Sequence, residues 1–230
     1  MISIVIPAYN ESRRILRTLE EYHSFFTEKL RDDFELIIVP NSCKDNTLEV
    51  VENFSKNKKN IIICNLPDKG KGGAVIKGFE IAKGNFIGFV DADNSTNPEN
   101  FFKLYENIGN FDGIIASRRI KGAKIDPPRT FFQNASSWFF NKTVKILLNL
   151  KYEDTQCGAK LFKKETAKEV INKISEKGWI FDVDLLQICK KNNFQIHEYP
   201  IIWTDSKGSV LTLSDGIESF IKLFRYSLKN

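Results

Sequence analysis

Short apolar runs alternate with helix-like segments along the first half of the chain, and this alternation predicts the fold. The runs ISIVIP, FELIIV, NIIICNL, NFIGFV and DGIIAS are typical of buried strands. Residues 11–30, 45–54 and 72–82 lie between them and carry apolar side chains at helical spacing. Apolar strands that alternate with helices indicate an α/β fold, with a mostly parallel sheet covered by helices on both faces.

The second half of the chain is less regular. Residues 130–150 and 214–228 are predicted helices, and two strand-like pieces lie around Ile196 and Ile201. The last helix has apolar residues on one side and basic residues elsewhere, a pattern typical of a helix that can lie on a membrane surface. Because no repeat or flexible linker interrupts the chain, we expect residues 1–230 to form a single domain.

Composition narrows the class of protein. The chain has 230 residues, 42% of them hydrophobic, which is enough for a sizeable core. Its net charge of +5 comes without a long run of one sign, and it suits phosphate-bearing partners or an anionic membrane; we expect no nucleic acid partner. The four cysteines lack metal-binding spacing, and we find neither a signal peptide nor a long apolar span, so we expect a cytoplasmic setting.

Polar segments follow the predicted strands and should meet at one edge of the sheet, where ligands bind in folds of this kind. Asp91 and Asp93 come directly after the fourth apolar run. Two acids at this spacing often cap a turn. After a buried strand they favour a site for Mg²⁺ or Mn²⁺, whose remaining positions substrate phosphates would fill. Which of the two acids binds the ion directly stays open, since Asp91 could instead bond a ribose.

Two other segments at this edge suit a nucleotide. In PAYNE, Pro7 and Ala8 offer exposed backbone, Tyr9 offers a ring for a base, and Glu11 offers an acceptor. The glycines of PDKGKGG permit close approach to phosphate, and Lys69 and Lys71 could face it, although an ordinary basic turn fits equally well.

Taken together, PAYNE, PNSCKDNT, KGKGGAV and FVDADNST resemble the nucleotide-sugar half of inverting GT-A glycosyltransferases. In the second half, ASRR, DTQCGAKLF, WIFDVDLL and IIWTDSKGS resemble the dolichyl-phosphate glucosyltransferases. The resemblance implies a GT-A domain in which residues 1–117 bind the nucleotide sugar and residues 118–230 bind the acceptor. It also implies transfer of a hexose, with glucose favoured, from a nucleotide diphosphate sugar, with UDP favoured, to dolichyl or polyprenyl phosphate. Transfer would proceed with inversion and need Mg²⁺ or Mn²⁺.

The resemblance further implies a role for each matching residue. The nucleotide-sugar site would contain Pro7, Ala8, Tyr9, Glu11, Asn41, Lys71, Gly72, Asp91 and Asp93, with Asp91 and Asp93 also serving the metal. Arg118 and Arg129 match arginines that grip phosphates. Asp154 matches a proposed catalytic carboxylate, which would either position the acceptor or take a proton. Asp182 and Asp184 are alternatives for that role, or they cap a helix.

Departures from the family pattern leave other functions open. PNSC stands where relatives have DDGS, so the choice of uracil over guanine is uncertain, and the chain could be a nucleotide-sugar-binding protein without turnover. A soluble sugar or glycan is an alternative acceptor. If the acceptor is a lipid, the basic amphipathic last helix would place the enzyme on the membrane surface as a peripheral protein.

Overall fold

Strands and helices alternate along residues 1–204 and 213–228, the part of the chain that this computed structural model describes. The strands are β1 (Ile2–Ala8), β2 (Phe34–Pro40), β3 (Ile61–Ile63), β4 (Phe86–Val90), β5 (Gly113–Ser117), β6 (Lys124–Asp126), β7 (Ala159–Lys163), β8 (Ile196–Pro200) and β9 (Ile202–Thr204). The helices are α1 (Ile15–Leu30), α2 (Thr47–Ser55), α3 (Lys71–Ile81), α4 (Pro98–Asn107), α5 (Phe131–Leu148), α6 (Lys164–Ile171), α7 (Phe181–Lys191) and α8 (Leu213–Ser227).

Seven strands form one sheet in the order β3-β2-β1-β4-β7-β5-β8. Strand β7 is antiparallel to both of its neighbours, and the other pairs in this sheet are parallel. Strands β6 and β9 form a small separate parallel pair. The predicted α/β fold with a mostly parallel sheet is therefore confirmed.

The sheet is buried on both faces. Every residue of β1 and β2 is buried, as their largely apolar sequences predict, and this includes the polar residues Ser3 and Glu35. Val5, Phe79 and Phe89 belong to the apolar cluster on one face, and Ile4 and Phe26 belong to the cluster on the other. Helices cover both clusters, so the strand ends are the part of the sheet that remains open to a ligand.

The elements that the residue pattern did not predict include β7 and α4. Strand β7 has only five residues and runs without a break into α6, so it carries no separate periodic signal. Helix α4 follows the polar DADNS segment and starts at Pro98, with Asn97 accepting a hydrogen bond from the backbone N–H of Asn100. The first helix is also shorter than predicted and begins at Ile15, because residues 9–14 form a turn at the strand end.

Candidate active site

Asn41 joins three segments at the carboxyl edge of the sheet. It follows β2, its side chain is almost completely buried, and its Nδ2 donates to the carbonyl oxygen of Ala8 at 2.8 Å. Its Oδ1 accepts from the backbone N–H of Gly70 at 3.1 Å. One side-chain amide thus holds together the ends of β1 and β2 and residues 67–73, the PDKGKGG segment, which we call the glycine turn. Both ends of the Asn41 side chain are therefore engaged by the protein. Its predicted contact with a base stays a prediction.

The turn after β1 is held by hydrogen bonds to Thr47, the first residue of α2, and to Asp45 just before it. The backbone N–H of Glu11 donates to Thr47 Oγ1 at 2.8 Å, and that of Ser12 donates to Asp45 Oδ2 at 3.1 Å. Partial burial opposes ionisation of Asp45, but hydrogen bonds from Thr47 and Ser12 outweigh it and lower its pKa to about 2. The carboxylate therefore stays charged and orders this turn at neutral pH.

Three carboxylates influence one another at the strand ends. Burial raises the pKa of Glu11, and the charges of Asp93 and Asp91 act in the same direction, while Arg14 opposes them through two hydrogen bonds of 2.7 Å. Loss of solvent in the cleft and the charge of Asp93 also raise the pKa of Asp91, against the opposing charge of Lys71. A concentration of negative charge of this kind attracts a cation.

The acidic pair fits an ion that is shared with a substrate. Within residues 1–204 and 213–228, no three His, Cys, Asp or Glu side chains come together as a complete metal site. Asp91 and Asp93 can supply part of a coordination shell, and diphosphate oxygens would have to complete it. Lys71 occupies one oxygen of this pair, with its Nζ 2.9 Å from Asp91 Oδ1. An incoming ion would therefore compete with Lys71.

Tyr9 contacts the glycine turn through Lys69. Lys69 Nζ is 4.3 Å from the centroid of the Tyr9 ring, a cation–π contact. The backbone N–H of Gly72 donates to the carbonyl oxygen of Lys177 at 3.0 Å. A Cβ at position 72 would lie 2.7 Å from Phe181 Cδ2, so glycine is needed there for packing. Direct contact of Gly72 with a nucleotide stays a prediction.

Arg118 and Asp154 form a bidentate ion pair at the end of β5. Arg118 Nε donates to Asp154 Oδ2 at 2.7 Å, one terminal nitrogen donates to Oδ1 at 2.8 Å, and the backbone N–H donates to Oδ2 at 3.0 Å. Asp154 is completely buried. Burial opposes its ionisation, but the Arg118 charge outweighs this effect and keeps the pKa of Asp154 below its usual value. The geometry suits a carboxylate that orients an arginine.

A groove beside this ion pair is lined by arginines. Its volume is about 360 Å³, and its lining includes Arg118, Arg119, Arg129 and Trp138. Trp203 on β9 faces two of them, with the guanidinium carbons of Arg129 and Arg118 at 4.3 and 5.3 Å from its ring. A basic groove with an aromatic wall suits a phosphorylated molecule that also has an apolar part.

Arg119 and Trp203 are candidate site residues that the residue pattern did not single out. Arg119 lies beside Arg118 in the ASRR motif, and this adjacency was the sequence signal that could have identified it. Trp203 is mostly buried, and its position in the IIWTDSKGS motif was the available signal. Residues 205–209 of the IIWTDSKGS motif lie outside the described residues.

Asp182 and Asp184 have different partners, and neither caps α7 through its side chain. Asp182 contacts two lysines. Asp184 accepts hydrogen bonds from the backbone of Ser175 and Glu176, each at 2.8 Å, and from the Tyr226 hydroxyl at 2.6 Å. Asp184 therefore attaches α8 and the segment before α7 to the domain, away from the arginine-lined groove.

Helices α5 and α8 pack against each other and leave large apolar side chains in solvent. Phe220 contacts the rings of Phe139 and Phe140 across the pair. Trp138, Phe139, Phe224 and Leu228 are each more than half exposed. Trp138 also lines the arginine groove, so the exposed apolar face adjoins it. Across the part of the chain with described structure, no helix is both long and apolar enough to cross a bilayer.

Comparison with known proteins agrees with this geometry. The family model described as Glycosyl transferase family 2 matches residues 3–171. A dolichyl-phosphate beta-glucosyltransferase of Dictyostelium discoideum is 31% identical over 223 residues, which cover 91% of this chain and 68% of that protein. The enzyme of the same name from Saccharomyces cerevisiae is 32% identical over 93% of this chain and 70% of its own length.

A solved structure shows the same fold at lower sequence identity. Glucosyl-3-phosphoglycerate synthase of Mycobacterium tuberculosis superposes with a TM-score of 0.70 and 15% identity over 99% of this chain and 78% of that one. That crystal contains Mn²⁺, uridine diphosphate and phosphoglyceric acid. The predicted GT-A architecture is thereby confirmed.

Proposed function

This chain belongs to glycosyltransferase family 2 and is a hexosyltransferase, and we propose that it transfers glucose from UDP-glucose to a polyprenyl phosphate of the dolichyl type, with inversion. The names of the relatives support the sugar and the acceptor. The observation that carries the proposal is the position of residues 154–158. This segment holds Arg118 through Asp154 and contacts Asp91 through Gly158, so a basic groove and an acidic strand end adjoin the same segment.

On the donor side, Asp91 and Asp93 would hold Mg²⁺ or Mn²⁺ together with the diphosphate. The bound ion supplies charge stabilisation to the leaving diphosphate. Tyr9 would stack on the base, and the Lys69–Tyr9 contact fixes the orientation of the ring. Lys71 lies where its ammonium can turn from Asp91 to a phosphate oxygen.

On the acceptor side, Arg118 and Arg129 would bind the phosphate that attacks the sugar. A phosphate monoester is largely ionised near neutral pH, since its second pKa is about 6, so a strong general base is not required. One phosphate oxygen forms a bond to the anomeric carbon while the bond from that carbon to the nucleoside diphosphate breaks. Asp154 is held ionised by Arg118, and we propose that it orients this arginine toward the acceptor.

A lipid acceptor requires contact with a membrane. We propose that the exposed apolar face of α5 and α8 lies on the bilayer surface, with Trp138 at the entrance to the arginine groove. Continuity between the apolar face and the groove would let the prenyl chain stay in lipid while its phosphate reaches the arginines. The four free thiols suit a reducing compartment, which supports a location on the cytoplasmic side of that membrane.

The test is a transfer assay with purified protein, a panel of nucleotide sugars and a short-chain prenyl phosphate, read by mass spectrometry. We expect glucosyl phosphoprenol from UDP-glucose with Mn²⁺, and loss of product with a chelator. The Asp93→Asn variant should lose about 100-fold or more in rate, since it removes one ligand charge from the ion. The Glu35→Gln variant is the control, because Glu35 lies at the opposite edge of the sheet, where it accepts from Ser3 Oγ.

Other outcomes of the assay would change the proposed function. Transfer to a saccharide but not to the prenyl phosphate would favour a soluble acceptor. Binding of the nucleotide sugar without release of nucleoside diphosphate would favour a binding protein without turnover. Full transfer in the presence of the chelator would rule out the metal site at Asp91 and Asp93.

A further inference from the structure

Lys160 is a completely buried lysine in β7, an internal strand of the sheet. Its ammonium has three donors, and each has an acceptor. These are the carbonyl oxygens of Thr155 and Cys157, at 3.1 and 2.8 Å, and Asp182 Oδ1, at 2.5 Å. A buried charge is tolerated when it is paired and hydrogen-bonded in this way. Lys160 is therefore a fixed cation that holds the segment before it.

Asp182 is shared between this fixed cation and a second lysine. It is almost completely buried, and Lys71 Nζ lies 3.3 Å from its Oδ2. Burial alone would raise its pKa, but the charges of Lys160 and Lys71 outweigh burial and keep the pKa below its usual value. Asp182 is therefore an ionised carboxylate with one permanent partner and one partner at the edge of solvent.

Lys71 connects this buried pair to the acidic strand end. Its Nζ lies between Asp182 and Asp91, and its side chain is 23% exposed, against 3% for Asp182 and 0% for Lys160. Lys71 is thus the lysine of the network that solvent reaches. The order of contacts is Asp91, Lys71, Asp182, Lys160 and then the backbone of residues 155–157.

We propose that Asp182 and Lys160 are positioning residues of the transfer reaction, which set where Lys71 sits and thereby how readily Asp91 accepts the metal ion. Asp182 gives Lys71 a second carboxylate, so the ammonium can leave Asp91 without losing its whole counter-charge. Lys160 keeps Asp182 ionised and in place. The proposal rests on the proposed metal site, and it extends the function to residues that would not touch the substrate.

The test measures Mn²⁺ binding to the protein by water-proton relaxation with uridine diphosphate present and neither sugar nor acceptor, since diphosphate oxygens complete the coordination shell. In Asp182→Asn, Lys71 has only Asp91 as a charged partner, and we expect Mn²⁺ to bind roughly tenfold more weakly. Lys160→Met leaves Asp182 with Lys71 alone, which draws Lys71 from Asp91, so Mn²⁺ should bind more tightly. Opposite shifts in two buried variants would not result from general loosening of the fold. Glu35→Gln, a buried carboxylate far from the site, should match the wild type.

A double-mutant cycle with Lys71→Met tests how Asp182 affects Mn²⁺ binding. It distinguishes an effect that acts through Lys71 from the direct attraction between the Asp182 charge and the ion. Without Lys71, the Asp182→Asn effect should shrink to less than about threefold. An Asp182→Asn effect of unchanged size in the Lys71→Met background would overturn the proposal, and so would absence of Mn²⁺ binding in the wild type. This cycle does not depend on Lys160→Met, should that variant fail to fold. Because no sugar is transferred in this measurement, failure here and failure of the transfer assay are read separately.

Discussion

Gly158 shows how one residue lets the second half of the chain contact the acidic strand end. The backbone N–H of Asp91 donates to the carbonyl oxygen of Gly158 at 3.0 Å. A Cβ at position 158 would lie 1.7 Å from Asp91 Oδ2, which is far inside van der Waals contact. A side chain at this position would therefore displace the carboxylate that we assign to the metal. The glycine in DTQCGAKLF is explained by this close approach.

We predict that Gly158→Ala reduces transfer by roughly 100-fold, because the new methyl group must push Asp91 out of its position. Mn²⁺ binding should weaken in parallel, and both are measured on protein whose fold is checked by circular dichroism. Gly178→Ala is the matched control, since the nearest atom to a Cβ there is Lys222 Nζ at 4.0 Å. A Gly158→Ala enzyme that kept more than half of its activity would contradict this account of the site.

At the scale of elements, α8 is attached on one side and exposed on the other. Leu223 and Tyr226 are buried, and the Tyr226 hydroxyl donates to Asp184. Phe224 and the adjoining Leu228 point away from the domain, with 56% and 74% of their surface exposed. A helix with this division can stay folded on the protein while its outer apolar side chains enter a membrane surface.

We predict that replacing Phe224 and Leu228 together with Ser lowers binding to vesicles of mixed neutral and anionic phospholipid by more than tenfold. Each large apolar side chain contributes about 1.5–3 kcal/mol when it leaves water. Co-sedimentation with vesicles measures the effect. Phe111→Ser is the control, because Phe111 is also exposed but stacks on His197, away from α5 and α8. Equal sedimentation of the double variant and the wild type would refute the membrane contact and leave the transfer assay unaffected.

At the scale of the whole molecule, β7 joins the two halves of the chain into one sheet. It pairs with β4 on one side and β5 on the other, both from the first half. Residues 1–117 alone would lack the strand between β4 and β5. Phe89 would lose its neighbour on β7, and Ile115 would lose its neighbours on β7 and β8. We therefore expect the division at residue 117 to separate two functional halves but not two folding units.

We predict that the full chain unfolds in a single cooperative transition. All three tryptophans lie in the second half, at positions 138, 179 and 203, so their fluorescence reports that half, whereas far-UV circular dichroism reports both. The two midpoints in urea should coincide. The fragment of residues 1–117 should lack a dispersed NMR spectrum. Two separate transitions, or a folded fragment, would show that the halves are independent domains.

Local sequence patterns were sufficient to predict much of the fold of this protein. Strands β1 to β5, the long helices and the collection of polar segments at one sheet edge all follow from residues close together in the chain, because burial and periodicity leave a direct trace in sequence. The family resemblance rested on motifs of the same kind. The roles of Asp91, Asp93, Arg118 and Arg129 stay predictions, now with geometry that supports them.

Long-range packing settled the rest. The position of β7 between β4 and β5, the closure of Arg118 on Asp154 across 36 residues, and the reach of Lys71 to Asp182 across 111 residues leave no periodic trace in the chain. Their energies depend on burial and on distances between charges, and both quantities exist only once the sheet has brought distant residues together.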